Sequence, residues 1–280
     1  DHDLFALVDF YSAYRACVRA KISAMVERSP DASEDVHARA RQECRRYLLL
    51  ALAADRRSLL SPCVVAVGGV IASGKSTVSD WLCGELGAPT VDADRTRKHM
   101  LGVAHTQKVH DGTWQGAYDP AFTEKVYEEV LRRADVVLAS GRPVVIDASF
   151  RSRTMRAQAR ELAEKRGVPF RFVECATPRE VCRERLRERE KGASVSDGRL
   201  AIFDDFCARF EPVTELSPEV HVTVDVSRPR GVLYARLRDR LDVWPRALTG
   251  RRLVSADRAA ERRRSARRTT ANELDVPLDA

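Results

Sequence analysis

The chain has seven cysteines, an odd number, with no CxxC pair and no close Cys/His clustering. That excludes a disulfide framework and a structural zinc module, and it leads us to expect reduced thiols in a cytoplasm. No apolar run is long enough to span a bilayer, and no basic-then-apolar leader opens the chain, so no membrane partner is expected. Basic residues outnumber acids 48 to 41, yet no basic run is interleaved with aromatics in the manner that grips single-stranded nucleic acid. Much of the +7 balance lies in Arg246 to Ala280, which holds nine Arg against five acids. The charge is therefore weak support for a nucleic-acid partner. Methionine is missing from the first position, where Asp1 stands, so the chain reads as a piece of something longer.

Hydrophobic residues make up 44% of the 280, enough for a substantial core. One stretch organises the rest. Pro62 opens the apolar, β-branched run Cys63 to Val67, which reads as a buried strand. Gly69-Val-Ile-Ala-Ser-Gly74-Lys75-Ser76 then matches the phosphate-loop pattern GxxxxGK[ST] without a gap, and Thr77 to Leu86 continues as a helix. Glycines let the loop curl so that backbone N–H groups point inward at phosphate oxygens, and the helix start adds its positive dipole end. Gly69, Ala72, Ser73, Gly74, Lys75, Ser76 and Thr77 are the expected nucleotide-binding set, with ATP as the ligand. Lys75 is expected on the β/γ-phosphates and the Ser76 hydroxyl on Mg²⁺.

Five short apolar strands alternate with helices, which predicts an α/β three-layer P-loop sandwich around a five-stranded parallel sheet. Ahead of it, Leu4, Leu7, Tyr11, Tyr14, Val18, Ile22 and Met25 mark one helical face, and Val36, Ala40, Cys44, Tyr47, Leu48 and Ala51 a second. The expected organisation is a helical hairpin over 1–60, a P-loop domain over 61–245 and a basic, disordered tail over 246–280. His99 to Pro120 is polar and turn-rich. It reads as an insertion over the site, with Trp114 and Tyr118 suited to stacking or to packing.

Two strands end in acids. Thr90 to Ala93 delivers Asp94 to the carboxyl edge of the sheet, where it takes or orients a substrate hydroxyl proton, or caps the next helix. Arg97 projects one turn further along the same side. Val144 to Asp147 ends at the position suited to the second acidic partner of Mg²⁺. Arg151, Arg153 and Arg156 open a helix at the strand ends, where substrate anions bind, although most such arginines are simply solvated. The helix Arg179 to Lys191 interleaves Arg183, Arg185, Arg187 and Arg189 with glutamates. It reads as a charge-paired surface helix or as a lid that brings arginines to a transferring phosphoryl group.

These motifs in this order, GGVIASGKST, VDADRTRK, VVIDASF, VCRERLRERE and SDGR, resemble the P-loop kinases related to zeta toxins, chloramphenicol phosphotransferase and the kinase half of polynucleotide kinase. The resemblance covers about residues 62–226. It implies a strand order of 2-3-1-4-5, Asp94 as general base with Arg97 as its partner, and Arg185 and Arg189, less surely Arg183, as lid arginines. Residues 1–60 resemble the junction in two-part proteins in which an aminoglycoside-phosphotransferase-like domain precedes such a unit. The catalytic His-Asp-Asn loop of that domain is absent here, so no aminoglycoside activity is carried over.

Three functions stay open on these residues. The first is an Mg-ATP-dependent kinase acting on a small-molecule hydroxyl, with Lys75, Asp94, Arg97, Arg185 and Arg189 as its catalytic set and Ser76 and Asp147 at the metal. The second is a kinase for a polynucleotide 5′-hydroxyl. The third is a nucleotide-gated binding module, which has no need of an acceptor base.

Overall fold

The computed structural model describes residues 1–53, 61–107, 116–189 and 199–244. At its centre lies a sheet of five parallel strands, β1 (Val64–Gly68), β2 (Thr90–Asp92), β3 (Val144–Asp147), β4 (Phe170–Cys175) and β5 (His221–Val224). Their spatial order is β2-β3-β1-β4-β5. β1 is buried at every position, because β3 and β4 flank it and helices cover both faces, which is why its sequence is an unbroken apolar run. Val64, Ala66, Val144, Ile146 and Phe172 share one core with α5 (Pro120–Ala139) and α6 (Arg153–Arg166). The alternate residues Val65, Val67 and Val145 are also fully buried and face the other way, where α3 (Lys75–Leu86) packs on β1 and β3. α9 (Arg230–Arg240) packs on β5. The result is the expected three-layer α/β sandwich.

The amino-terminal helices α1 (Phe5–Glu27) and α2 (Glu34–Ala53) form the expected hairpin, but α1 is turned the other way. Its buried residues are Ala16, Ala20 and Ser23, a stripe of small side chains set against Ala40 of α2. The larger apolar stripe faces outward: Leu7 is 48% exposed, Tyr14 60% and Met25 65%. Both stripes recur at steps of three and four, so periodicity identifies the helix without saying which face packs. Small residues allow the closer approach of two backbones, and that face is the one used. Phe5 reaches the main core, His2 Nε2 lies 2.9 Å from the Thr90 carbonyl oxygen, and Asp3 and Asp9 pair with Arg132 and Arg142 at 2.8 and 2.6 Å. Asp1–Val243 forms one compact unit.

Local sequence sets the loops that carry the site. Asp92, rather than Asp94, caps α4 (Ala93–Met100), accepting the Arg95 N–H at 2.6 Å. That cap lets the helix begin directly at the strand end, so His99 is helical rather than part of the insertion. Ser152 caps α6, and Gly87 and Gly167 close α3 and α6 in the left-handed conformation. α7 (Arg179–Arg189) and α8 (Phe203–Ala208) complete the described helices. Trp114, the residues from 190 to 198 that include the SDGR motif's Ser196 to Gly198, and the basic tail lie outside the described residues. All seven cysteines are free thiols. Among the described residues no helix is long and apolar enough to cross a membrane.

Candidate active site

The phosphate loop joins β1 to α3 at the carboxyl edge of the sheet. Its backbone is held in conformations that side chains resist. Gly69 has φ +139°, Ala72 φ +61° and Gly74 φ +93°. A Cβ on Gly69 would stand 2.7 Å from the Cys175 carbonyl oxygen, and one on Gly74 would stand 2.6 Å from Val226 Cγ1. Glycine at both positions is therefore a requirement of the curl as well as of the motif. Contacts from outside the motif fix the loop, among them the Gly69 N–H donating to the Ser149 carbonyl at 3.1 Å and the Thr177 hydroxyl donating to the Ser73 carbonyl at 2.7 Å. The Lys75 ammonium donates to the carbonyls of Gly69 and Val70 at 3.1 and 2.9 Å, folded back over the loop. Ser73 is fully buried, and its Oγ has no hydrogen-bond partner. Ser76 and Thr77 are exposed in the first turn of α3.

The acids converge on this loop. β2 and β3 pair so that Asp92 lies opposite Asp147, and β1 and β3 pair so that Asp147 lies opposite Val67, two residues before the loop begins. Burial pushes the Asp147 carboxyl up, against the pull of the Lys75 ammonium and the Ser76 hydroxyl. Asp92 is pushed up to about 7 by burial first and then by the Asp94 and Asp147 charges, with the Arg95 N–H opposing. Asp94 is half-buried one residue into α4. Three carboxyl groups thus crowd the carboxyl ends of two neighbouring strands. The sequence reading used two of them and passed over Asp92, although it stands in the same short VDAD run as Asp94.

The arginines divide by what holds them. Arg185 of α7 donates to the carbonyls of Ala72 at 3.2 Å and Val226 at 3.1 Å, so it ties the phosphate loop to the segment after β5. Arg189 is half-exposed one turn further along α7. Arg183 points elsewhere: it pairs with Asp204 at 2.6 Å and lies over the Phe203 ring. Of the three arginines expected to meet substrate anions, Arg156 is walled in. It takes Glu215 through two nitrogens and also donates to the carbonyls of Phe150, Glu211 and Pro212. Burial pushes the Glu215 carboxyl up, and the Arg156 guanidinium together with the backbone N–H groups of Glu215 and Thr214 more than reverses it. The exposed Arg153 guanidinium donates to the Thr214 hydroxyl at 3.2 Å and lies 3.7 Å from Glu215, while the Arg153 backbone N–H donates to Glu211 at 2.6 Å. Arg151 is half-buried in the turn after β3, beside Phe150, whose φ of +48° strains the backbone there. Tyr127 of α5 braces that turn, accepting the Phe150 N–H at 3.0 Å and lying 3.2 Å from the Ser149 hydroxyl. Arg97 is buried on the same side of the site, over the ring of Tyr118. The sequence reading missed Tyr127, Ser149 and Thr177 as site residues, because each signal is a single polar group in an apolar or turn context.

A family model described as an AAA domain matches residues 64–213, more than half of the chain. Among curated proteins, the uncharacterized proteins Rv2004c of Mycobacterium tuberculosis and Mb2027c of Mycobacterium bovis are each 29% identical over 198 residues. The match covers 70% of this chain and 38% of the relative. The chain therefore spans about two fifths of the length of the curated relatives it matches. Among solved structures, an unliganded sugar kinase from Janibacter sp. HTCC2649 superposes with a TM-score of 0.50 at 20% identity, over 66% of this chain and 96% of that one. At that identity the likeness establishes a shared fold.

Proposed function

This chain belongs to the AAA domain family, and from that premise we propose that it is a kinase moving the γ-phosphoryl group of ATP to a hydroxyl of a small molecule. The observation that carries the reading is a juxtaposition. A complete phosphate loop and a cluster of three carboxyl groups, Asp92, Asp94 and Asp147, share one edge of the sheet through the pairing of β1, β3 and β2. A nucleotide-gated module needs the loop and one metal-side acid, and has no use for Asp94 on the far side.

The residues present fit the ligands this reading requires. The glycines hold the loop in a curl that a Cβ would break by collision with Cys175 or Val226, and the orphaned Ser73 Oγ is a buried polar atom inside the loop. The backbone of Gly69, Ala72, Ser73 and Gly74 would hold phosphate oxygens, with Lys75 and Thr77 at their flank. Ser76 and Asp147 would hold Mg²⁺, which when bound neutralises charge on the phosphates. Asp94 orients the acceptor hydroxyl and takes its proton as the new O–P bond forms and the bond from phosphorus to ADP breaks. Arg185, tied to the loop itself, and Arg189 meet the charge that builds on the transferring group.

Titration calorimetry with Mg-ATP and a coupled assay for ADP test this reading on Lys75→Ala and Asp94→Asn. Lys75→Ala should lose turnover by orders of magnitude. Asp94→Asn should bind ATP normally and fail to transfer. Full turnover in Lys75→Ala would end this account, and normal transfer in Asp94→Asn would remove Asp94 from its role.

A further inference from the structure

The phosphate loop is gripped from outside at two consecutive carbonyls by α7 and the residues that lead into it. Arg185 of α7 donates to the Ala72 carbonyl at 3.2 Å, and Thr177, two residues before α7, donates to the Ser73 carbonyl at 2.7 Å. Thr177 and Ser73 are both buried, so that second bond is made away from solvent. α7 and α8 also seat the tip of the loop. Ile71 and Ala72 are buried in one apolar cluster with Cys182 and Leu186 of α7 and with Phe203 and Cys207 of α8. Ala72 takes φ +61° without being glycine, a strained conformation that lasts only where its surroundings impose it. Here α7 imposes it, on the side chain through that cluster and on the carbonyl through Arg185.

A trans peptide is planar, so its carbonyl and the N–H of the next residue point in opposite directions. Holding the Ala72 carbonyl toward Arg185 turns the Ser73 N–H away from that arginine, and it donates to the Val70 carbonyl at 3.3 Å to close the turn. Holding the Ser73 carbonyl toward Thr177 turns the Gly74 N–H away from Thr177 in the same manner. Gly74 sits at φ +93°, and glycine accepts either sign of φ, so nothing in the residue itself fixes the direction of that N–H. The Thr177 bond supplies what glycine lacks.

We propose that Thr177 and Arg185 are positioning residues for the nucleotide: they act through the Ser73 and Ala72 carbonyls to aim the loop's N–H groups, that of Gly74 first, at the phosphates that ADP shares with ATP. This rests on the nucleotide half of the reading above, and it gives Arg185 a role that precedes any transfer. Thr177→Val removes the hydroxyl and keeps the shape of the side chain. The nucleotide must then order the Ser73–Gly74 peptide itself, and a misdirected hydrogen bond to a charged phosphate weakens binding about tenfold or more. ADP separates this role from charge stabilisation, because it lacks the group that is transferred.

The test is calorimetric titration of the full chain with Mg-ADP, with urea unfolding beside it. Thr177→Val should raise the Kd for ADP about tenfold or more, and Thr177→Ser, which keeps the hydroxyl, should recover most of that. Arg185 is only half-buried, so Arg185→Gln keeps the test decisive where Thr177→Val does not fold, and it should raise the same Kd by a similar factor. A lowered urea midpoint in Thr177→Val with its ADP affinity unmoved would mean that the Ser73 carbonyl needs a donor for stability alone, and would overturn the proposal. An ADP affinity unmoved by Arg185→Gln would confine Arg185 to the transferring group and overturn it as well. A wild-type chain that binds no ADP would refute the nucleotide site and the proposal with it. A wild-type chain that binds ADP, shows the Thr177→Val loss and transfers no phosphoryl group would support the proposal and refute the kinase reading.

Discussion

Asp92→Asn separates charge from shape at the acid cluster. The Asp92 side chain accepts the Arg95 N–H at 2.6 Å, and an asparagine oxygen can do the same, so the helix cap survives. What disappears is a carboxyl group pushed from 3.8 up to about 7 by burial and by the Asp94 and Asp147 charges. A folded-state value above the unfolded one means that the folded chain keeps a proton the unfolded chain releases. The resulting stability is fully present below about pH 4, and it is lost as pH rises through about 7. At about 1.4 kcal/mol per unit the shift has a ceiling of about 4 kcal/mol, and partial exposure reduces this to about 2 kcal/mol. Urea unfolding in EDTA, run from about pH 4.5 to 8.5 on both proteins, reads the effect as a difference between two curves. The variant should become the more stable protein as pH rises, by about 2 kcal/mol at the alkaline end. Parallel curves across the window would refute the burial and like-charge argument for Asp92.

Three further substitutions probe the frame. Gly74→Ala places a Cβ 2.6 Å from Val226 Cγ1 at φ +93°, and calorimetry should show ATP binding weakened by more than about tenfold. Gly84→Ala, in the interior of α3 with nothing within 4 Å of the new Cβ, should instead raise stability by about 0.5–1 kcal/mol in urea. Arg156→Met leaves Glu215 with only the 3.7 Å contact to the exposed Arg153 and leaves three carbonyls without this donor, so it should cost about 3 kcal/mol in the same assay. Arg156→Met with Glu215→Leu should recover part of that loss.

The sheet was legible in the sequence because its central strands are buried on both faces and read as apolar runs between turn residues. β1 is displaced by one residue from the run Cys63 to Val67, since the backbone pairs Gly68 with Glu174 before the loop turns away. The strand order followed from the family resemblance and not from spacing. Asp94 and Asp147 were legible as acids at strand ends. Asp92 was not, because an acid within a strand pattern reads as a solvent-facing position until the pairing with β3 puts it opposite Asp147. The arginines were the least legible. Arg151, Arg153 and Arg156 look alike in one dimension, and only the chain returning at Glu211 to Glu215 decides which are consumed by the fold. The outward turn of α1 belongs to the same class, a choice between two periodic faces made by the size of the residues that meet.

The account turns on phosphoryl transfer, and the most direct measurement follows γ-labelled ATP with Mg²⁺ into a small-metabolite extract and, separately, into an oligonucleotide with a 5′-hydroxyl, with Asp94→Asn beside the wild type. Label in a small molecule that vanishes in Asp94→Asn is the predicted result. Label that appears only as free phosphate, unchanged by the substitution, would contradict the account and leave a nucleotide-gated module in its place.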